Sequence, residues 1–397
     1  MRLSLSIPKR RLLLITLDLL TLVLISKGYL FLLLPIWLLL IDAVGGYEIR
    51  FSRDIKAGLT SVFGAGLFLC FFYLIIYMAS SSLQTLLIRH LLLGILSLSL
   101  VRIFYRMVFY QALFRFRIAI LSDEDEVKRF FSQSPEFEIC DNSLLHNGGG
   151  LPKNLIDAVV IRNGFVPHDI EHEGIPVLKF ECIYEELTGR VYLDAVDGLA
   201  KDSGFYDWIK RVLDIIGATV GLIIYGIILP VLTFLIKLDS PGPIFYRQKR
   251  TGKDNRSYTI YKLRTMVSDA EKDGPVWARE DDRRVTRIGR FLRKTRLDEF
   301  AQLFNILKGE MSAIGPRPER PEFEERIRNL IPNYDLRYLV RPGMAGWAMV
   351  NYGYIASVGD ARVRHEYDLY YIRHRSFYLD LKIFLRAILQ LLMMRGR

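Results

Sequence analysis

Ile215-Ile-Gly-Ala-Thr-Val-Gly-Leu-Ile-Ile-Tyr-Gly-Ile-Ile-Leu-Pro-Val-Leu-Thr-Phe-Leu-Ile-Lys-Leu238 is an apolar run interrupted only by Lys237. Its length meets the ~20 residues needed to cross a bilayer. Its flanks argue against crossing. Lys210 and Arg211 precede it, and Lys237, Arg247, Lys249 and Arg250 stand at its other end, so both ends carry cytoplasmic-side charge. Pro230 lies mid-run, has no N–H to donate and clashes with the Gly226 carbonyl. The reading is a re-entrant helix over 207–238, broken at Pro230, which dips into one leaflet and returns. Protein or interfacial water must then meet the freed backbone groups.

Upstream, Leu12–Ile25, Tyr29–Ile41, Ala57–Ala79 and Leu83–Leu100 read as four membrane spans. Basic residues gather before the first (Lys9, Arg10, Arg11), between the second and third (Arg50, Arg53, Lys56) and after the fourth (Arg102, Arg106, Arg115, Arg117). The positive-inside rule then leaves both termini, and everything after residue 100, in the cytoplasm. Asp18 and Arg89 are charges inside these spans. Counted from their own membrane faces, they sit about a helical pitch or two apart, so Arg89 is expected to snorkel outward instead of pairing with Asp18.

Composition agrees with a membrane protein. The chain has 397 residues, 51% of them hydrophobic, yet carries a net charge of +11. Residues 1–200 hold 19 basic and 20 acidic side chains, whereas residues 201–397 hold 35 and 23. The whole excess sits in the second half, which should therefore meet something anionic. Cys70, Cys140 and Cys182 are too few and too scattered for a disulfide scaffold.

Residues 116–203 change character. Arg117–Leu121, Asp157–Ile161 and Ile175–Phe180 read as strands, with Asp123–Phe131 as a helix between the first two. Alternating strand and helix predict a small Rossmann-like parallel α/β domain. It lacks the G-x-G-x-x-G turn, and His168 and His172 read as a solvated helix face, so a structural or docking role is expected.

The chemistry gathers between 237 and 347. Tyr258-Thr-Ile-Tyr-Lys-Leu-Arg-Thr-Met266 is a short strand ending in a cluster suited to a diphosphate, Lys262 as a point charge and Arg264 as a bidentate donor. Arg283 to Arg296 holds seven basic residues, of which Arg283, Arg287, Arg290 and Lys294 recur at helical spacing opposite Val285, Ile288 and Leu292, which reads as a basic amphipathic helix in the interface plane. No nucleic-acid module accompanies it, so nucleic acid is not an expected partner. Thr295-Arg-Leu-Asp-Glu-Phe-Ala-Gln-Leu-Phe-Asn-Ile-Leu307 predicts a helix with Asp298 and Glu299 in its first turn. Two readings of that pair stay open: carboxylates that suit a capping box and the helix dipole, or a nucleophile with a metal or acid/base partner. Gly315-Pro-Arg-Pro-Glu-Arg-Pro321 favours chemistry, because Pro316 and Pro318 stiffen the segment that displays Arg317.

From Ser240 to about Lys382 the chain resembles the monotopic family of bacterial polyprenol-phosphate phosphoglycosyl transferases. The matching pieces are Ser240-Pro-Gly-Pro-Ile-Phe, Tyr261-Lys-Leu-Arg-Thr-Met, Leu297-Asp-Glu, Gln302-Leu-Phe-Asn-Ile-Leu-Lys-Gly-Glu-Met-Ser, Ile314-Gly-Pro-Arg-Pro, Arg341-Pro-Gly-Met-Ala-Gly-Trp and Tyr367-Asp-Leu-Tyr-Tyr-Ile-Arg. Arg296, Phe300 and Ala301 stand where the family often has Ser, Leu and Pro. The resemblance implies a bacterial inner-membrane enzyme with four transmembrane helices and a linker over 1–115, the α/β domain over 116–203, and a mainly α catalytic domain with short strands over 204–397. It implies transfer of a sugar 1-phosphate from a UDP-sugar to undecaprenyl phosphate, releasing UMP, as the first membrane step of exopolysaccharide, capsule or O-antigen synthesis. Asp298 matches the family's nucleophile, and Glu299 its partner, both tied to Mg2+. Arg317, between Pro316 and Pro318, matches the nucleotide-binding arginine, Arg293 the position for the lipid phosphate, and Pro230 the helix break. A lipid bilayer and a second copy of the chain, as a homodimer, are the implied partners.

Overall fold

A computed structural model describes residues 3–25, 33–47, 55–79, 84–105, 107, 116–122, 124–134, 137–140, 156–162, 175–196, 199, 204–268, 270, 282–352 and 358–392. The chain divides into two compact units, Met1–Thr188 and Gly189–Arg397. The division falls before the 203/204 boundary expected from sequence. Val191 and Leu193 pack in the same core as Trp347, Tyr371 and Ile383, and the Val191 N–H donates to the Glu366 carbonyl.

The first unit begins with α1 (Leu3–Ile25), α2 (Leu34–Ala43), α3 (Ile55–Ala79) and α4 (Gln84–Phe104). These correspond to the four apolar runs, although α2 has only ten residues. At 1.5 Å per residue that covers about half of a ~30 Å hydrocarbon core. Residues 26–32, which the expected second span includes in part, lie outside the described residues. Leu22, Trp37, Leu69 and Leu98 are fully buried between the helices. Asp18 is buried too, and its partner is Arg102: the guanidinium forks onto both carboxylate oxygens at 3.0 and 2.8 Å, and the Tyr47 hydroxyl donates to Oδ2 at 2.7 Å. Arg89 is exposed, so it does not fill that role. Arg102 had served in the sequence only as a marker of the cytoplasmic side. Its side chain instead folds back into the bundle and ties α1 to α4.

The same unit holds four parallel strands, β1 (Phe116–Leu121), β2 (Phe137–Ile139), β3 (Ala158–Ile161) and β4 (Val177–Lys179), in the order β2-β1-β3-β4. Ile118, Ala119, Ile120, Val159 and Val160 are buried, as apolar strands of a parallel sheet covered on both faces must be. Two helices, α5 (Asp125–Ser132) and α6 (Phe180–Thr188), accompany the strands, and α6 starts where the sequence suggested a longer fourth strand. Phe137–Ile139 is a strand that three residues of sequence did not announce. Glu124, heading α5, pairs with Arg162 just past β3. His168 and His172 lie outside the described residues.

The second unit opens on α7 (Gly204–Asp239), 36 residues with Pro230 inside. Among the described residues it is the helix long and apolar enough to cross a membrane by length and composition. The expected break is corrected: the helix runs on through Pro230. Packing explains this. Leu222, Tyr225, Ile228 and Leu229 before the proline, and Leu232 and Ile236 after it, enter one cluster with Leu263, Leu292 and Ala301. Burial on both sides of residue 230 offsets the hydrogen bond that the proline removes. The opposite face stays exposed and apolar, with Ile216, Ile223, Ile227, Val231, Phe234 and Leu238 along its length. Both ends of α7 are fastened to the unit. Near its start, Tyr206 and Lys210 donate to Asp380, and Asp214 accepts from the Ala313 N–H. At its finish, Asp239 accepts from the Ile288 N–H.

The rest of the unit is built on short elements: the antiparallel hairpin β5 (Phe245–Thr251) and β6 (Ser257–Leu263), α8 (Arg287–Thr295), α9 (Leu303–Lys308), β7 (Ser312–Ile314), α10 (Pro321–Arg328) and β8 (Gly343–Ala345). β7 pairs in parallel with β8. The chain closes with α11 (Trp347–Asn351), α12 (Val358–Arg373) and α13 (Phe377–Leu392).

The Asp18–Arg102 pair makes a sharp prediction. Asp18→Ala leaves a buried guanidinium without its countercharge and should destabilise the unit by about 3–5 kcal/mol. Adding Arg102→Ala should recover most of that loss, because the stranded charge is gone. Denaturant unfolding of the full chain in detergent measures both, and a single variant as stable as the wild type would contradict the pairing.

Candidate active site

The acidic pair is placed by the turn between α8 and α9. Thr286 caps α8, its Oγ1 accepting from the Gly289 N–H at 3.0 Å. Gly289 has to be glycine, since a Cβ there would lie 2.0 Å from the Thr265 carbonyl oxygen. That contact lets α8 press against the strand that carries Lys262. The helix ends at Arg296, whose φ of 56° is left-handed. A non-glycine residue held there stores about 1–2 kcal/mol, as residues at functional sites often do. The chain then turns as a 3-10 helix, Leu297–Gln302, before α9 begins. The expected α-helical first turn and its Thr295 cap are corrected accordingly: Thr295 ends α8, and its hydroxyl donates back to the Phe291 carbonyl.

Leu297, Phe300 and Ala301 enter the cluster against α7, which anchors the turn that carries Asp298 and Glu299. Both acids are buried, at 7% and 8% exposure. Their partners differ completely. Glu299 Oε1 accepts from Lys262 Nζ at 2.9 Å and from Arg317 Nη2 at 2.8 Å, and its Oε2 stands 3.6 Å from Arg296 Nη1. Burial alone would raise the Glu299 pKa, but these three cations hold it well below the usual carboxylate range. Among the described residues no group hydrogen-bonds or pairs with the Asp298 carboxylate. Burial first, and the neighbouring Glu299 charge second, push Asp298 up to about 6 against the pull of Lys262, Arg293 and Arg317. The structure thus keeps one carboxylate clamped and ionised, and leaves the adjacent one unengaged.

The cations are held as firmly as the acids. Arg317 protrudes from a segment whose neighbours are pinned: the Pro316 carbonyl accepts from the Gly343 N–H, the Pro318 carbonyl from Arg250, and the Arg317 carbonyl from Arg337. Arg337 in turn pairs with buried Asp368 at 2.8 Å. Pro316 and Pro318 are buried and Arg317 is half-buried, so the prolines fix the backbone while the guanidinium faces the dyad. Only its Nη2 is committed there, which leaves the donors of Nη1 and Nε for a ligand. Asn305 joins α9 to β6, donating to the Thr259 carbonyl and accepting from the Tyr261 N–H, and so sets the height of Lys262 beside Glu299. Arg293 is oriented by its Nε donating to Thr265 Oγ1 at 2.8 Å, and its charge reaches Asp298.

Arg264 behaves differently from its sequence expectation. Its Nη1 donates to the Pro241 carbonyl at 2.8 Å, and its Nη2 to the Ser240 carbonyl at 2.6 Å. It closes the C-terminal end of α7, where carbonyls lack intrahelical donors. The structure therefore brings together Lys262, Arg293, Asp298, Glu299 and Arg317, and gives Arg264 and Pro230 structural places. Sequence reasoning did not find Arg296 as a third cation on Glu299, because a left-handed arginine leaves no periodic signal.

The fit to Mg2+ is uneven. Among the described residues no group of three His, Cys, Asp or Glu side chains could hold a metal ion. Glu299 is taken up by cations, so Asp298 offers the open carboxylate oxygens. That suits Mg2+, which binds through one or two carboxylates and takes the rest of its shell from water and substrate phosphates.

Known proteins share this arrangement of sequence. The bacterial sugar transferase family profile matches residues 205–394. An Aeromonas hydrophila UDP-N-acetylgalactosamine-undecaprenyl-phosphate N-acetylgalactosaminephosphotransferase is 44% identical over 218 residues, covering 54% of this chain and 52% of the relative. A Caulobacter vibrioides UDP-glucose:undecaprenyl-phosphate glucose-1-phosphate transferase is 41% identical over 187 residues, 46% of this chain and 69% of that protein. A Rhizobium leguminosarum exopolysaccharide production protein is 37% identical over 181 residues, 44% of this chain and 90% of its own length. The chain thus aligns to about half the length of the Aeromonas relative and to most of the shorter two.

The contrast between the two acids predicts opposite effects on stability. Glu299→Gln strands three cations and should destabilise the unit by about 3 kcal/mol, near the lower end for a broken ion pair because the arginines are partly solvated. Asp298→Asn removes a buried carboxylate that nothing engages, and should leave the melting temperature unchanged or raise it. Thermal unfolding of both variants tests this, and equal losses would contradict the clamp.

Proposed function

This chain belongs to the bacterial sugar transferase family, and from that membership we propose that it transfers a sugar 1-phosphate from a UDP-sugar to undecaprenyl phosphate. The observation that carries the reading is an unengaged Asp298 beside a Glu299 held by Lys262, Arg296 and Arg317. An Asp298 oxygen attacks the β-phosphorus of the UDP-sugar. The bond from that phosphorus to the bridging oxygen breaks, and its electron pair leaves with UMP. A sugar-phosphoryl-aspartate remains. A phosphate oxygen of undecaprenyl phosphate then attacks the same phosphorus, the Asp298 carboxylate leaves, and undecaprenyl-diphospho-sugar is released.

Every cation has a task in this scheme. The free donors of Arg317 suit the donor diphosphate or nucleotide, as a planar fork does, and Lys262 adds a point charge. Arg293 suits the lipid phosphate. Glu299 holds Lys262, Arg296 and Arg317 in place and keeps them from repelling one another. Asp298 would hold Mg2+, which when bound would supply charge neutralisation for the transferred phosphoryl group.

The membrane placement in this reading rests on α7. Both of its ends bind one compact unit, so the helix rests against that unit and presents its apolar face to a single leaflet. An active site at the headgroup plane reaches a soluble nucleotide sugar and a membrane-bound acceptor together. The basic run from Arg287 through Lys294, with exposed Phe291, suits anionic headgroups at that plane. In this reading the apolar helices of the first unit are four spans of a bacterial inner membrane, and the parallel α/β sheet is a small cytoplasmic docking domain. The Rhizobium leguminosarum relative, named for exopolysaccharide production, supports a place in surface polysaccharide synthesis.

With UDP-sugar and Mg2+ but no lipid acceptor, purified enzyme should release a burst of UMP limited by enzyme concentration, screened first with UDP-glucose and UDP-N-acetylgalactosamine. Asp298→Asn should abolish it. Arg317→Ala should lower kcat/KM about ten- to a hundredfold, the loss of one charge-assisted contact, and Arg317→Lys should recover only part. No burst, with initial rates that require both substrates bound together, would replace the covalent route by direct transfer.

A further inference from the structure

Tyr225 lies on α7, five residues before Pro230, and is 3% exposed. Its ring packs on Phe300, centroid to centroid 5.8 Å, and Phe300 follows Glu299 in the turn that carries the dyad. The same cluster contains Leu297 and Ala301, which flank the acids in that turn. Asp298 is within electrostatic reach of it.

The hydroxyl is the unusual part. It is closed off from solvent, and among the described residues it has no hydrogen-bond partner. Four other buried tyrosines of this unit are satisfied, Tyr206 and Tyr371 donating to Asp380, Tyr338 to Glu324, and Tyr334 accepting from Arg337, whereas the Tyr258 hydroxyl, like that of Tyr225, has no partner among the described residues. A buried hydroxyl without a partner is costly, and its persistence calls for an acceptor that arrives later. Phenylalanine would fill the same space in the cluster without that cost. The neighbouring feature that changes during the proposed reaction is Asp298, which gains a phosphoryl group bearing anionic oxygens. A phenol is a single donor on a rigid two-torsion side chain, suited to one such oxygen.

We propose that Tyr225 is a catalytic residue that α7 contributes to the active site, its hydroxyl donating a hydrogen bond to a non-bridging oxygen of the phosphoryl group carried on Asp298. This rests on the covalent reading given above. It makes the membrane-facing helix a part of the reaction centre as well as an anchor. The contact exists only once charge has moved onto Asp298, so it favours the transition states of both half-reactions over the free enzyme.

Tyr225→Phe in the full-length protein, embedded in lipid nanodiscs, provides the test. The amplitude of the acceptor-free UMP burst should stay at the wild-type level. Its rate, and the rate of the chase by undecaprenyl phosphate, should each fall tenfold or more. The melting temperature should hold or rise, since an unsatisfied hydroxyl has been removed. Replacing Tyr225 by 3,5-difluorotyrosine keeps the ring and acidifies the phenol, and should change both rates while leaving the melting temperature alone. Wild-type rates in Tyr225→Phe would overturn the proposal. So would a Tyr225→Phe variant that loses rate and stability together while the difluorotyrosine enzyme behaves as wild type, because the residue would then serve packing alone. Absence of a burst in the wild-type enzyme itself is a different failure, that of the covalent reading.

Discussion

Three cations from three places in the chain meet on the carboxylate of Glu299. Lys262 comes from a hairpin strand, Arg296 from a left-handed turn, and Arg317 from a proline-locked segment. Without the acid, these charges would crowd one another in a partly desolvated site. Without the cations, Glu299 would be an ion buried at high cost. The mutual dependence fixes the geometry of the hairpin, the dyad turn and the Pro-Arg-Pro segment at once. Asp298 gains most from this. It sits next to a carboxylate that three cations hold ionised and in place, with its own oxygens left open.

The long helix α7 supplies the second constraint. Its buried face packs against the dyad turn, and its C-terminal carbonyls are closed by Arg264, two residues beyond Lys262 on the same stretch of chain. Helix, hairpin and active site are therefore one mechanical piece. A displacement of α7 would pull on Arg264 and Lys262 together. This coupling ties the position of Asp298 to the packing of α7, whose opposite face is exposed and apolar.

Much of this was legible in the sequence. Adjacent carboxylates inside a basic field, an arginine between prolines and a strand ending in Lys262 all announced themselves by residue type and spacing, and the structure gathers them. The apolar runs and the basic loops outlined the first unit. Other features were hidden for identifiable reasons. Asp18 and Arg102 are separated by 84 positions, and periodicity marks the face of a helix but not which neighbour that face meets. Arg264 looked like a ligand donor because its role depends on where the carbonyls of residues 240 and 241 come to rest. Pro230 suggested a broken helix, but local propensity yielded to burial on both sides of the proline. Tyr225 had no signal at all in a run of isoleucine and leucine, since an orphaned hydroxyl becomes visible only after packing.

The account stands on Asp298 being the group that carries the phosphoryl sugar. Mass-spectrometric mapping of the protein after mixing with UDP-sugar and Mg2+, quenched before any lipid acceptor is added, addresses that directly. The account predicts one sugar-phosphate adduct on the peptide containing Asp298, assigned by fragmentation to that residue and removed by undecaprenyl phosphate. An adduct on Glu299, or none in enzyme that turns over normally once the lipid is supplied, would contradict it.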